Sequence, residues 1–535
     1  MFKKHFFIHP GNFLMGVGSV FFMLNVHADV ITTGNIFPGS LTTSPTTTSQ
    51  VIIGFGGVQS SLVVNADTVS NGITAVNANN TGSIGVVAGF SSGDQGSILV
   101  KGNGLSGSAR LSSINDIELG ISGSKGILQI QNGGVVETTG QTAFSGSSVV
   151  AGNSDSVGEI VVTDPGSLLS TTGRVRLGGF SNSNGAMVIS HGGRVQTAGT
   201  VAQDVQIEIG TGDGATGSAL VRDANSSLVT NGIIVGGGSA GSTASNLGIL
   251  SIQLGGTAST NPLASGEAGG LSIGSASPFG AEVIVRGAGS SLEVGAITSA
   301  SNILAGKEVL VGGFRDGTLL VDNFGRVNAS GANIIVGGGV SGTDTAAPGR
   351  LTVRSGGVVL ANNVTINPNA VLNGDGTITA NVTLNGGTVA PGNSPGTLTI
   401  DGDFTQVAGN LVIEIAGTGA GEFDVLNVLG AASFDPGTTI DLDFINGFAP
   451  TTGDVFDFLQ TNTLASDMSL VNFAVLGLDP GFQFDTAFTS TGVFSMTALN
   501  TGVSSVPVPA ALWLFVSGLS GLAGISGRKQ KRREI

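Results

Sequence analysis

The chain has 535 residues, 90 of them Gly, with no Cys, no Tyr, one Trp and four His; no disulfide can form, and so few imidazoles with no thiol exclude most nucleophilic and Cys/His metal chemistry. Hydrophobic content of 40% is enough for a core, while charged content of 10% is well below the usual quarter. The net charge is −15, and setting aside the seven basic residues and one acid of the two ends leaves 13 basic and 34 acidic residues, a body of −21 that nucleic acid and anionic lipid would repel.

Residues 1–28 read as a secretory signal peptide. Lys3 and Lys4 make a positive start, Phe13 to Val26 is apolar, and Val26-His27-Ala28 is a small-residue cleavage site followed by Asp29. Cutting between Ala28 and Asp29 by a signal peptidase removes His5, His9 and His27 and leaves His191 as the one imidazole. The alternative is an uncleaved anchor, for which the apolar stretch is short.

Residues 29–370 read as a repeat region. Abundant Gly, Ser, Thr, Asn and Val fit an extended all-β protein. A mean hydropathy of +0.36 and regular Val/Ile/Leu alternation oppose disorder. One phrase recurs: a short apolar strand ending in Gly, a turn, a second strand, then a Gly-Gly corner. Ile117-Glu118-Leu119-Gly120 leads through Ile127 to Ile130 to Gly133-Gly134-Val135, and Val175-Arg176-Leu177-Gly178 leads through Met187-Val188-Ile189 to Gly192-Gly193. The second Gly falls at 134, 193, 256, 325 and 357, and an interleaved Ser-Leu phrase falls at Ser167-Leu168, Ser227-Leu228 and Ser291-Leu292. The unit is therefore about 60 residues, built of two halves near 30, the mark of a solenoid. Gly corners supply positive φ on every turn, and stacked turns about 4.8 Å apart give about a dozen rungs and a rod near 55 to 60 Å long. A propeller is the structural alternative, but its blade signatures are absent. From Thr33-Gly34-Asn35-Ile36 to about Ala361 the order of phrases resembles the passenger repeats of type V autotransporters and of PEP-CTERM proteins. That resemblance implies a right-handed parallel β-helix.

Residues 371–500 have a different texture. Leu372-Asn373-Gly374-Asp375-Gly376 and the run from Asn381 to Leu398 resemble the closing segment of autotransporter passengers. Twelve Phe lie between Phe404 and Phe494, against eight in residues 29–400. A denser aromatic core predicts a wider, sandwich-like β cap over the open sheet edge of the last rung.

Residues 501–535 are the most specific part. Val506 to Gly527 is 22 residues without a charge, about 33 Å as a helix and enough to span a bilayer. Arg528, Lys529, Lys531, Arg532 and Arg533 follow, which places the tail in the cytoplasm and the body outside it. The string Val506-Pro507-Val508-Pro509-Ala510-Ala511-Leu512-Trp513-Leu514-Phe515-Val516-Ser517-Gly518-Leu519, with its basic tail, resembles the PEP-CTERM sorting signal of Gram-negative bacteria, in the variant V-P-x-P-A-A-x-W-L-F-x-S-G-L. This chain has Val508 where the name-giving motif has Glu. The resemblance implies recognition by an exosortase, transient inner-membrane anchoring, cleavage near the Pro pair and onward transport to the surface or matrix of an exopolysaccharide-forming cell.

Candidate chemistry is sparse. His191 lies at a predicted corner, where a solvated role is the ordinary one. Asp401/Asp403 and Asp441/Asp443 have the i, i+2 spacing that puts both carboxylates on one strand face, able in principle to serve glycoside hydrolysis or Ca²⁺. Gly212-Asp213-Gly214 and Gly374-Asp375-Gly376 read as turns, and no cofactor is expected. Between Ser355 and Gly527 there are 14 acids and no Lys or Arg, which denies a mixed acid/base groove to the last third. The sequence thus points to an all-β, right-handed parallel β-helix with a β-rich cap and a single C-terminal transmembrane helix. Its expected function is that of an exported, non-enzymatic surface or matrix protein or adhesin. Its Thr, Ser and Asn would meet exopolysaccharide or other surface proteins. The alternative is a polysaccharide lyase or glycoside hydrolase on the same scaffold.

Overall fold

The computed structural model describes residues 29–37, 46–48, 51–65, 74–78, 84–104, 108–140, 148–197, 207–237, 246–260, 270–274, 280–295, 308–312, 316–338 and 348–503. Within them the chain is all-β, with one 3-10 turn at Met468–Leu470. Each turn of the coil contributes a long strand and two short ones. Each strand pairs in parallel with the equivalent strand one turn before and one turn after it. This is a parallel β-solenoid, as the repeats predict.

The long strands show why the sequence does this. Gln59–Asn65, Lys125–Gln131 and Val157–Thr163 bury alternate residues, because successive side chains of a strand point to opposite faces. The parallel register then stacks like on like. Ile98 lies beside Leu128, Ile160 and Met187, and Val100 beside Ile130, Val162 and Ile189. One continuous apolar column runs from Ile36 to Met496.

The corner between the second short strand and the next long strand is a point of close backbone approach. Gly120, with φ +77°, is the last residue but one of Asp116–Ile121, and Gly126 is the second of Lys125–Gln131. A Cβ on Gly126 would lie 2.3 Å from Ala88 O and 2.4 Å from Gly120 N. Backbone meets backbone there, so no side chain fits. Gly96, Gly126, Gly158, Gly185, Gly217 and Gly248 share this position in register. The hydrogen-bond ladder continues through the corner: Gly178 N donates to Ala151 O at 3.0 Å and Gly210 N to Leu177 O at 2.8 Å.

The corner after the long strand explains the 60-residue unit. Two corner types alternate. Asn132-Gly133-Gly134, His191-Gly192-Gly193 and Leu254-Gly255-Gly256 alternate with Asp164-Pro165-Gly166-Ser167, Asp223-Ala224-Asn225-Ser226 and Gly287-Ala288-Gly289-Ser290. Ser167, Ser226 and Ser290 are buried. Their Oγ atoms accept hydrogen bonds, each 3.0 Å, from the N–H of Gly133, Gly192 and Gly255 in the preceding corner. Asp164 and Asp223 likewise accept from Asn132 N and His191 N, at 3.2 and 3.3 Å. Rungs are therefore locked in pairs, and the rung itself is the half-unit near 30. The register corrects one alignment: Leu168 stacks on Arg194 and Ser227, so the equivalents of Ser167 are Ser226 and Ser290, one residue before the Ser of the Ser-Leu phrase.

Both ends depart from expectation. Asp29–Thr33 pairs antiparallel with Gln59–Asn65, and Ile36–Phe37 with Val51–Ile53. Residues 29–37 thus close the first rung's edge instead of starting the coil. At the other end no sandwich forms. Parallel pairing continues through Thr377–Pro391, Phe404–Ile415, Thr439–Phe444 and Asn472–Leu476. Strands stack fifteen deep in the long-strand ladder from Gln59–Asn65 to Asn472–Leu476, a rod of about 70 Å at 4.8 Å per rung. The Phe residues do gather at its end: Phe444 meets Phe456 and Phe482 at 6.1 and 5.5 Å, and Phe458 meets Phe494 at 5.5 Å. Val493–Ala498 then pairs antiparallel with Val455–Leu464, and Phe484–Phe488 antiparallel with Val493–Ala498, closing this end.

Two substitutions test the corners by thermal melting followed by circular dichroism. Gly126→Ala drives a methyl into fixed backbone and is expected to cost about 3 kcal/mol or more, whereas Gly280→Ala, with nothing within 4 Å of the added carbon, leaves the midpoint unchanged. Ser167→Ala strands the buried Gly133 N–H and is expected to cost about 1 to 3 kcal/mol.

Candidate functional site

The sequence-derived site residues divide sharply. Asp29 opens the first strand. Ala28, the sorting string from Val506 to Leu519 and the tail from Arg528 to Arg533 lie outside the described residues. Among the described residues no helix is long and apolar enough to cross a membrane.

His191 sits at a corner, as its sequence context predicts, with φ +50° and its side chain 63% exposed. Its Nδ1 is 3.5 Å from Thr163 Oγ1 and 3.7 Å from Asp223 Oδ2. Asp223 is already engaged by His191 N and by Arg222 Nε at 3.2 Å.

The two acid pairs behave differently. Asp441 and Asp443 do share the outer face of Thr439–Phe444, opposite the buried Ile440, Leu442 and Phe444. Asp441 accepts from Asn410 Nδ2 at 2.8 Å. Burial raises both carboxyls above the ordinary range, and the charges of Glu414 and Asp441 raise Asp443 further. Asp401 and Asp403 do not share a strand face. They flank Gly402 in the bend between Thr397–Ile400 and Phe404–Ile415. Asp403 Oδ1 accepts Ala431 N at 2.8 Å, so this acid ties the irregular middle of the strand Val425–Phe434. Asp375 accepts Ser355 N at 2.7 Å, which makes Gly374-Asp375-Gly376 a corner tie. Among the described residues no three His, Cys, Asp or Glu converge in a way that could hold a metal ion.

Sequence reading missed the charged rows that cross the rungs. Arg110 pairs with Glu137 at 2.8 Å, Arg174 and Arg176 share Glu208 at 2.9 and 3.1 Å, and Arg286 and Arg354 share Asp322 at 2.9 and 3.4 Å. The partners are about 30 residues apart, so the rung period itself was the signal.

It also missed Asp424, which is wholly buried. Its two oxygens accept Gly396 N at 2.8 Å and Glu414 N at 2.9 Å, pinning the corner at 392–396 to the strand Phe404–Ile415. Ser394 Oγ donates to Glu414 Oε2 at 2.6 Å beside it. Burial pushes the Asp424 carboxyl up to about 7, against the two N–H bonds that favour its charge, and the nearby Glu414 adds to the rise.

No protein-family profile matches the sequence, and no curated protein matches it. Among solved structures it is similar to a crystal structure titled as a TibC-catalysed hyper-glycosylated TibA55-350 fragment. The identity is 16% and the TM-score 0.33, with 75% of this chain and 97% of that one covered. The solenoid assignment rests on the strand pairing itself.

Asp424 gives a pH prediction. The unfolded chain releases this proton near 3.8 and the folded chain near 7. The stabilisation from the protonated form is complete below about pH 4 and is lost as pH rises to about 7. Chemical denaturation midpoints measured from pH 4 to 8 are expected to fall across that window, and Asp424→Asn is expected to flatten this part of the fall.

Proposed function

We propose that the chain is an exported, non-enzymatic component of the cell surface or extracellular matrix of a Gram-negative bacterium, built as a right-handed β-helical rod. Signal peptidase cuts after Ala28. The apolar segment 506–527 then holds the chain in the inner membrane until an exosortase recognises Pro507, Pro509, Trp513 and their neighbours and releases the body. The observation that carries this reading is the unbroken parallel ladder from Gln59–Asn65 to Asn472–Leu476, a long rod whose faces are open along its length. The acids support it too, since Asp164, Asp223, Asp403 and Asp424 are spent on backbone N–H groups of neighbouring rungs. The outer faces present Ser, Thr, Asn and Gln between half-buried aliphatics, a surface suited to polysaccharide or to other surface proteins as partners.

Mass spectrometry of the protein recovered from the cell surface tests the route. The expected mature polypeptide begins at Asp29 and lacks Arg528 to Ile535; recovery of that basic tail on the surface form would overturn it. Incubation with the cell's own polysaccharide tests the role, and the expected result is binding without turnover.

A further inference from the structure

Two bulky apolar side chains, Leu254 and Phe324, stand exposed at corners that otherwise carry small or polar residues, and Phe324 is the more unusual. In the corners that begin Asn132, His191, Leu254 and Ser355, the second residue is Gly, with φ between +76° and +87°. In the corner Asn323-Phe324-Gly325 that place is taken by Phe324, with φ +64°. A bulky residue in the left-handed region is strained, and such strain persists where the surroundings or a function demand it. Phe324 is also 64% exposed, against a background of polar corners.

The next rung shows how the ring is held. A Cβ on Gly356 would lie 2.6 Å from Phe324 Cε1 and 2.7 Å from Cδ1. The ring therefore lies on the bare backbone of Gly356, where any side chain would displace it. The exposure leaves the rest of the ring to solvent. Beside this platform, at the ends of adjacent long strands, Arg286 and Arg354 share the single carboxylate of Asp322. The Arg286 and Arg354 side chains are 42% and 35% exposed while that of Asp322 is 10% exposed, so the group, with two cations on one carboxylate, presents an excess positive charge outward. Arg354 Nε has no hydrogen-bond partner although it is buried. No Lys or Arg follows Arg354 before Arg528, so this is the last cationic point along the rod.

We propose that Phe324, seated on Gly356, with Arg354 and Arg286, forms a binding site for a carboxylate-bearing polysaccharide segment. A sugar ring stacks its C–H face on Phe324, and a uronate carboxylate meets the guanidinium fork of Arg354, a geometry that favours bidentate pairing. The acidic body does not forbid this. At physiological salt its distant charges are screened beyond about 8 Å, while the contact pair is not. The site rests on the proposed role at the surface and names the class of glycan that role would engage.

The test is calorimetric titration of the full chain with alginate, a polyuronate, and with dextran, a neutral glucan, at 0.15 M salt. Alginate binding with dextran bound at least tenfold more weakly supports the site. Phe324→Gly restores the corner's usual residue, so the melting midpoint is expected to hold or rise while alginate affinity falls at least tenfold; Arg354→Gln is expected to lower it similarly. Unchanged alginate affinity in either variant, equal affinity for dextran, or no binding by the parent chain would overturn the site and leave the export route standing. Cleavage of alginate by the parent but not by Phe324→Gly would support the site and overturn the non-enzymatic reading.

Discussion

Successive rungs touch backbone to backbone at one corner, and the rest of the structure follows from that contact. The strand pairing fixes the rise from rung to rung, and the corner leaves no room for a Cβ at Gly126 or its equivalents. Because these glycines stack in register, the side chains after them also stack in register, so Ile98, Leu128, Ile160 and Met187 fall in one column. The core is thus aligned by positions that contribute nothing to it themselves. A chain without disulfides gains its order from this repetition: every buried strand is bonded on both edges, and only the two ends need special treatment.

The ends receive that treatment by reversal of strand direction. At the start, Asp29–Thr33 runs back along Gln59–Asn65, and at the finish Val493–Ala498 runs back along Val455–Leu464. This is also where the sequence was least legible. Alternation with period two is the same in parallel and antiparallel strands, so residues 29–37 read as part of the repeat region and the Phe-rich segment as a sandwich. Phe404 and Phe434 instead pack edge to face inside the continuing coil, 5.8 Å apart. What was legible was whatever repeats: strand type from the Val/Ile/Leu alternation, corners from Gly, and the rung from the spacing of Gly-Gly. The Asp401/Asp403 pair misled because a spacing of two implies a shared face only if the intervening residue is in a strand, and Gly402 is not.

Charge is distributed by the same geometry. Arg and acid partners lie about 30 residues apart in sequence and one rung apart in space, so ion pairs run along the rod, as with Arg174 and Glu208. Beyond Arg354 the coil continues with acids alone, and several of those acids turn inward to satisfy N–H groups, Asp424 most completely. A carboxylate count taken from the sequence therefore overstates the surface charge of this third.

The pairing of corner types has a consequence for how such a molecule can change length. A Gly N–H at one corner needs the Ser Oγ of the following one, as Gly192 needs Ser226. Excising one rung would bring two corners of the same kind together and replace the Ser acceptor by a backbone oxygen, as where Phe324 N meets Ser355 O, whereas excising two would rejoin complementary neighbours without loss. Lineages carrying this architecture should therefore differ in span by multiples of two coils, some sixty amino acids at a time, and a copy number that is odd should be confined to places like Asn323 to Gly357, where the alternation has already lapsed.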